Sequence, residues 1–574
     1  MKKEVLVIFK THLDIGFTDF ANNILQKYLN EYIPNAIRVG YELKDTDTPF
    51  VWTVGSFLLW HALKHDTDGK VEKAISDGIL RWHALPFTTH TELMSPTLFS
   101  YGLSLSKRLD ERFGTQTISA KMTDVPGHTR GIVPILKRNG VEFLHIGVNP
   151  ATPLPKVPPL FRWKYGKDEI VVMYQGDYGA EYDLGNCILS FAHTGDNLGP
   201  QNAGEIVSIF RHLRKKYPEC TVRIATLNDL AIKLREKENL PVIEAEIGDT
   251  WIHGLGTDPY KVSCFRRVQR ALEEYTGELP DLSDNLLLVP EHTWGLNMKR
   301  HFPYDGSYSH EDVLRMRREC SGPESSWEEQ RNYVKKAEEL LGISPEPPSE
   351  RPDLSGYRAT EIPTQIGLEL SFQLFDRSDY DRYIDEYMRS LSWWAIQDFT
   401  KVGLPDYQGG TYVAKVIEAY ACGEKRLYRM DFDKNIKSFS GLPEFYVQID
   451  RETVQIRWFG KLPSRFPQAF WLKFTGYTEA WELNKMGQWI SPKEILGSPF
   501  ISGIDQGVRN EDVLIESLDC PLVAPYGRRL LQFGKRPRKE DLYFNLYNNI
   551  WNTNFPMWYS DDAIFRFRIS KRKF

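Results

Sequence analysis

Four separated segments of this chain carry the residue types that bind metal ions and move protons. In FKTHLDIGFTD, His12 and Asp14 stand two apart at the end of an apolar run. Residues two apart on an extended segment share a face, so an imidazole and a carboxylate there can converge on one ion. A packed histidine beside a capping aspartate is the competing reading. Asp124, in KMTDVPGHTRGIVPILKRNGV, ends a second strand ahead of a tight turn at Gly127 and a helix. That position suits a metal ligand or a nucleophile, and equally a helix cap. Asp249 ends a third strand in IEAEIGDTWIHGLG, with Trp251 and His253 beside it. A carboxylic acid held off solvent against an indole gains proton affinity, as a general acid needs, and a plain turn aspartate is the alternative. Finally LLLVPEHTWG runs into Glu291 and His292. With His12, Asp14 and Asp124, His292 completes a shell of two nitrogens and two oxygens, whereas a lone histidine there reads as buried and hydrogen-bonded.

The elements that must present these groups are legible as patterns. Residues 4–10 form a continuous β-branched and aromatic run, the mark of a strand buried on both faces. Up to about residue 250, apolar runs alternate with amphipathic stretches: FVWTVG, ILRWHALPF, TISAKMTD, VEFLHIGV, a hairpin FRWKYGKDEIVVMYQ turning at Gly166-Lys167-Asp168, VRIATLND and PVIEAEIGD. Such alternation predicts βαβ units around a parallel sheet or barrel, with functional groups at the strand ends. Residues 260–342 read as helical throughout. SPEPPSERPD, with four prolines, makes a stiff boundary, and beyond it short alternating strands such as EFYVQIDRETVQIRWFG predict a β-sandwich. The expected architecture is therefore a (β/α)7-type barrel over 1–258, a helical segment over 259–343 that completes the active site, and a β-sandwich over 344–574.

Composition narrows the partners. Over 574 residues the net charge is −5, which lacks the basic footprint of a nucleic-acid or anionic-membrane binder. Aromatic residues reach 13%, in keeping with rings that stack on sugars and with aromatic β cores alike. Six scattered cysteines form no C-x-x-C pair, so a reducing compartment is expected and any metal must sit on histidine and carboxylate. The short run VLVIF is no signal segment, which predicts a cytoplasmic protein; the oligomeric state is left open.

The ordered set of four segments resembles the glycoside hydrolase family 38 alpha-mannosidase group, or a divergent clan related to it. THLDIGFTD matches the family's N-terminal His-x-Asp, TDVPGHTRGIVPILKRNGV its Asp-containing turn and following helix, GDTWIHGLGTDPYKVSCFRRVQRAL its Asp, aromatics and basic helix, and PEHTWG its late histidine. The resemblance spans roughly residues 4–300. It implies one zinc ion held by His12, Asp14, Asp124 and His292, with Asp124 as nucleophile and Asp249 as acid/base of a retaining hydrolase acting on an alpha-linked sugar. Zinc is favoured over magnesium because imidazoles are present, although cobalt or manganese would accept the same donors. Phe17, Pro126 and Thr293 depart from the family pattern; Thr293 replaces a carboxylate that helps bind the sugar, which opens the question of mannose specificity. His90, Glu92, Asp177, Tyr178 and His253 are candidate pocket residues, and Trp82, Trp251 and Trp294 candidate stacking platforms. A carbohydrate deacetylase or lyase using the same metal, and a non-catalytic sugar-binding protein, are the alternatives.

Overall fold

A computed structural model describes residues 3–571 apart from 303, 348, 434, 437–440, 498 and 499. Its contacts divide the chain into two units. The first comprises Met1–His90, Pro96–Ala245 and Pro290–Thr293; the second comprises Thr91–Ser95, Glu246–Val289 and Trp294–Phe574.

The first unit is organised around β1 (Glu4–His12). Its alternate side chains enter two different cores: Val5, Val7 and Phe9 join one, and Leu6 and Ile8 the other. This is why the run is apolar without interruption. On one edge β1 pairs in parallel with β9 (Cys187–Asp196) along its whole length. Its other edge is shared between β10 (Thr221–Ile224), which pairs its first half, and β2 (Trp52–Gly55), which pairs Phe9 and Lys10. β3 (Leu80–His83) extends that side in parallel, and β8 (Tyr182–Asp183) closes the other. A second sheet has the order β11-β6-β7-β5-β4, built from β4 (Ser119–Asp124), β5 (Phe143–Val148), β6 (Leu160–Tyr165), β7 (Asp168–Gln175) and β11 (Val242–Ile243). β6 and β7 make the hairpin expected from the sequence, with Gly166 at φ +60°.

The expected closed barrel is not formed by these ladders. The strands lie in two separate sheets, and between β3 and β4 the backbone makes a bond from Ala84 N to Ser119 O (2.8 Å) with no ladder. At the start of β4 the Asn228 side chain accepts from Ile118 N (3.1 Å) and from the Ser119 hydroxyl (2.7 Å). The helices cover the sheets through apolar stripes. Ile33, Ala36, Ile37 and Gly40 face inward from the helix Ile33–Leu43 at i, i+3, i+4 and i+7 spacing.

The second unit carries helices at Pro259–Glu273, His310–Glu319 and Gly322–Leu340. The helical expectation fails between 274 and 297, where the described backbone is irregular apart from a 3-10 turn at Leu286–Leu288. There Pro280 interrupts the pattern, and Asp281 accepts from Ser283 N (2.9 Å), a local turn that competes with helix. A ten-stranded and a six-stranded sheet follow, antiparallel in every pairing. Phe445 and Trp458 of the larger sheet meet Phe470 of the smaller at 5.6 and 5.2 Å between ring centroids, so the two sheets pack face to face as a sandwich. Among the described residues no helix is long and apolar enough to cross a membrane.

Candidate metal centre

Two strand ends and one loop of the first unit converge. β1 delivers His12, and Asp14 follows it; β4 delivers Asp124; the segment Pro290–Thr293 delivers His292. That segment is tied down by backbone bonds from His90 N to Pro290 O (2.9 Å) and from His292 N to Thr88 O (3.3 Å). Asp14 Oδ1 lies 3.1 Å from His12 Nε2 and 3.0 Å from His292 Nε2, and Asp124 Oδ2 lies 3.6 Å from His292 Nε2. Donors around a tetrahedral zinc sit about 3.3 Å from one another, given metal–ligand bonds near 2.0–2.2 Å. His12, Asp124 and His292 each offer a donor atom within 4.8 Å of the others, a group that could hold one metal ion. Asp14 Oδ2 is buried without a hydrogen-bond partner, a polar atom that a cation would satisfy.

Neighbouring groups aim these donors. The His12 Nδ1 edge meets the Thr123 hydroxyl at 2.8 Å; with Nδ1–H donating, Nε2 keeps its lone pair for a metal. His292 Nδ1 is 2.5 Å from Glu291 Oε1, and Glu291 Oε2 accepts from Thr293 N at 2.9 Å. A carboxylate so placed would orient the imidazole for a metal on its Nε2 side. Asp124 Oδ1 accepts from the Tyr178 hydroxyl and from Asn149 Nδ2 (2.9 Å), leaving Oδ2 toward His292. Gly147 lets Tyr178 arrive: a Cβ there would stand 2.8 Å from the Asp177 carbonyl oxygen. Asp124 itself has φ +79°, a conformation costly for a side-chain-bearing residue and concentrated at functional sites.

Electrostatically the cluster is prepared for positive charge. Burial disfavours a charged imidazole at both histidines, but Asp14 foremost at His12 and Glu291 foremost at His292 more than offset it, lifting both above the ordinary histidine range. Burial would raise the Asp14 carboxyl, yet His12 and His292 hold it below the usual carboxylate range. Burial, then Asp124, pushes the Tyr178 phenol well above its usual range, so it stays a donor.

Asp249, Glu92, Trp251, His253 and Trp294 belong to the second unit. Asp249 is buried, its Oδ1 accepting from Trp251 N (2.7 Å) and its backbone N–H approaching Glu92 Oε1 (3.4 Å). Glu92 in turn accepts from Gly503 N (2.6 Å) and pairs with Lys485 (2.9 Å), which also meets Glu246 (3.1 Å). Burial pushes the Glu92 carboxyl up to about 7, with Lys485 opposing and Glu246 and Asp249 adding to the rise. His253 is driven down to about 3 by burial and is therefore neutral. Trp251 is buried against Phe399 and Trp551, and Trp294 lies under the Lys261 ammonium, 3.6 Å from the ring centroid. In the first unit, Trp82 sits in the core near Phe113, His90 is buried, and the exposed Asp177 accepts from Gly179 N (2.9 Å).

The asparagine-rich stretch at 545–559 sustains a buried irregular loop. Asn549 Nδ2 donates to the carbonyls of Ser464, Phe466 and Met557, Asn554 accepts from Trp294 N (2.7 Å), and Asn548 donates to the His253 carbonyl (3.0 Å). Sequence reasoning passed over Thr123, Asn149 and Asp196, and named Glu291 without giving it a part. Asn149 and Asp196 could have been found as polar residues closing or following strands, since Asp124 pairs with Val148 and His12 with Asp196. Asp196 also forms a second donor group with His12 and Asp14.

Residues 255–345 match a family described as a domain of unknown function, DUF5054. No curated protein matches the chain in sequence. Among solved structures, an alpha-mannosidase from Enterococcus faecalis V583 is similar over 100% of this chain and 87% of its own, with a TM-score of 0.61 at 11% identity. A glycosyl hydrolase family 38 protein from Enterococcus faecalis is similar over 100% and 86%, with a TM-score of 0.56 at 11% identity. The chain resembles these family 38 proteins in fold along its whole length, while sharing little of their sequence.

Proposed function

We propose that this chain is a zinc-dependent glycoside hydrolase that cleaves an alpha-linked sugar with retention, Asp124 serving as nucleophile and Asp249 as acid/base. The observation that supports it most is the convergence of His12, Asp14, Asp124 and His292 within a fold shared with alpha-mannosidases. Two imidazoles and two carboxylates suit zinc. When bound, the ion supplies Lewis acidity and a fixed point for adjacent sugar hydroxyls.

The protein's own groups do the rest. Tyr178 and Asn149 donate to Asp124 Oδ1, which fixes that carboxylate's direction of attack on the anomeric carbon. Attack forms a glycosyl ester on Asp124 as Asp249 gives its proton to the departing oxygen; Asp249 then removes a proton from water, whose oxygen takes the sugar and returns Asp124 as carboxylate. The six free cysteines suit a reducing, cytoplasmic setting.

The test is a panel of nitrophenyl glycosides offered to the metal-loaded full-length protein, with the anomer of the first product read by NMR. Release of the alpha-linked sugar with retained configuration is expected, silenced by chelation and restored by zinc. Asp124→Ala should abolish turnover, and residual activity within about tenfold of wild type would remove Asp124 from the nucleophile's role. An unsaturated sugar or free acetate as product would instead make the enzyme a lyase or a deacetylase.

A further inference from the structure

Next to the metal ligands, on β1 and β4, the first unit buries two ammonium groups with no acid to answer them. Lys10 is 1% exposed and Lys121 5%. Lys10 donates to the Tyr178 carbonyl and lies 5.1 Å from the Phe191 ring centroid. The Lys121 ammonium donates to the Thr123 hydroxyl at 3.3 Å. Among the described residues no carboxylate lies within ion-pairing distance of either. A buried charge without a partner is strongly disfavoured. Burial alone draws Lys121 down to about 7.

Lys121 borders a cavity of about 20 Å³ that is also lined by Thr11, His83, Thr88 and Thr123. His83 is 3% exposed and its Nδ1 has no hydrogen-bond partner. The Thr123 oxygen already receives Lys121 and faces His12 Nδ1, and the Thr88 oxygen already accepts from Thr123 N (2.9 Å). The cavity thus offers an ammonium, an imidazole and hydroxyl protons, while two of its oxygens are already engaged. A water there needs acceptors for its own protons; an anion needs only donors. One water-sized particle requires roughly 10–15 Å³ of such space, so the room suits a single small ion and excludes phosphate or a carboxylate ligand.

We propose that this cavity is a binding site for a small monovalent anion, chloride, held by Lys121 with His83 and the threonine hydroxyls, which neutralises the buried Lys121 ammonium. The site stands apart from the hydrolase reading and does not depend on it. Its location is consequential all the same, because Lys121 and His12 share the Thr123 hydroxyl.

The test is crystallography of the full-length protein grown with bromide in place of chloride, with data collected at the bromine edge, together with thermal unfolding in chloride against gluconate at one ionic strength. An anomalous peak beside Lys121 Nζ and a saturable rise in Tm with chloride are expected. Lys121→Met should remove both; His83→Phe, which fills the cavity, provides a second variant should the first fail to fold. Water alone at the position overturns the proposal, as does a chloride-dependent Tm that survives in a folded variant. A peak seen only at crystallisation concentrations of bromide, with no chloride response in Tm, equally counts against it.

Discussion

His292 is held from both sides of its ring: Glu291 Oε1 takes Nδ1 at 2.5 Å while Nε2 faces Asp14 and Asp124. The Glu291 carboxylate both selects the tautomer and strengthens the nitrogen that would ligate. Glu291→Gln keeps the shape and loses the charge, so metal affinity should fall about 10–100-fold, read by competition with a chromophoric chelator; an unchanged affinity would remove Glu291 from that part. Acid should act in the same direction. Carboxylates lift both imidazoles above the ordinary range in the metal-free protein, so binding must expel protons and affinity must drop as pH falls from neutral. Titrating metal release against pH, with proton release followed by an indicator, checks the sign.

At the scale of elements, the second unit buries an ionic knot that braces Asp249. Lys485, fully buried, lies between Glu92 and Glu246, and Glu92 reaches the Asp249 backbone. Removing one member of such a group leaves the others uncompensated, a loss worth about 3–5 kcal/mol. Lys485→Met should therefore lower the unfolding free energy by about that amount in a denaturant titration, whereas a loss below about 1 kcal/mol would mean that the carboxyls share protons instead. The first unit follows a different rule. β1 has to be apolar on both faces from Val5 to Phe9 because two cores claim its alternate residues, and it turns polar at Lys10, Thr11 and His12.

Across the whole molecule, all six cysteines are free, and Cys187, Cys264 and Cys520 are buried. Stability rests on packing, the aromatic layer between the two sheets included, so dithiothreitol should leave Tm unchanged; a drop would reveal a disulfide. Length and coverage tell the same story as the strand pattern: a mixed α/β part followed by a β-sandwich, in the fold of the alpha-mannosidases.

Strand β1, the hairpin at Gly166 and the terminal sandwich are legible in the sequence, because an uninterrupted apolar run, turn chemistry and period-two alternation are local properties of the chain; His12, Asp14, Asp124 and His292 stand out there only as polar residues at or near strand ends. The split into two sheets is not local. It depends on pairing between distant segments, and β3 and β4 share a single backbone bond, Ala84 N to Ser119 O, in place of a ladder. The irregular path between 274 and 297 likewise hid inside an apparently helical stretch, as local turn bonds outweighed propensity. Only folding decided which groups aim the ligands, since Thr123, Tyr178 and Asn149 reach His12 and Asp124 through strand register and the close approach at Gly147, distances that no spacing along the chain encodes.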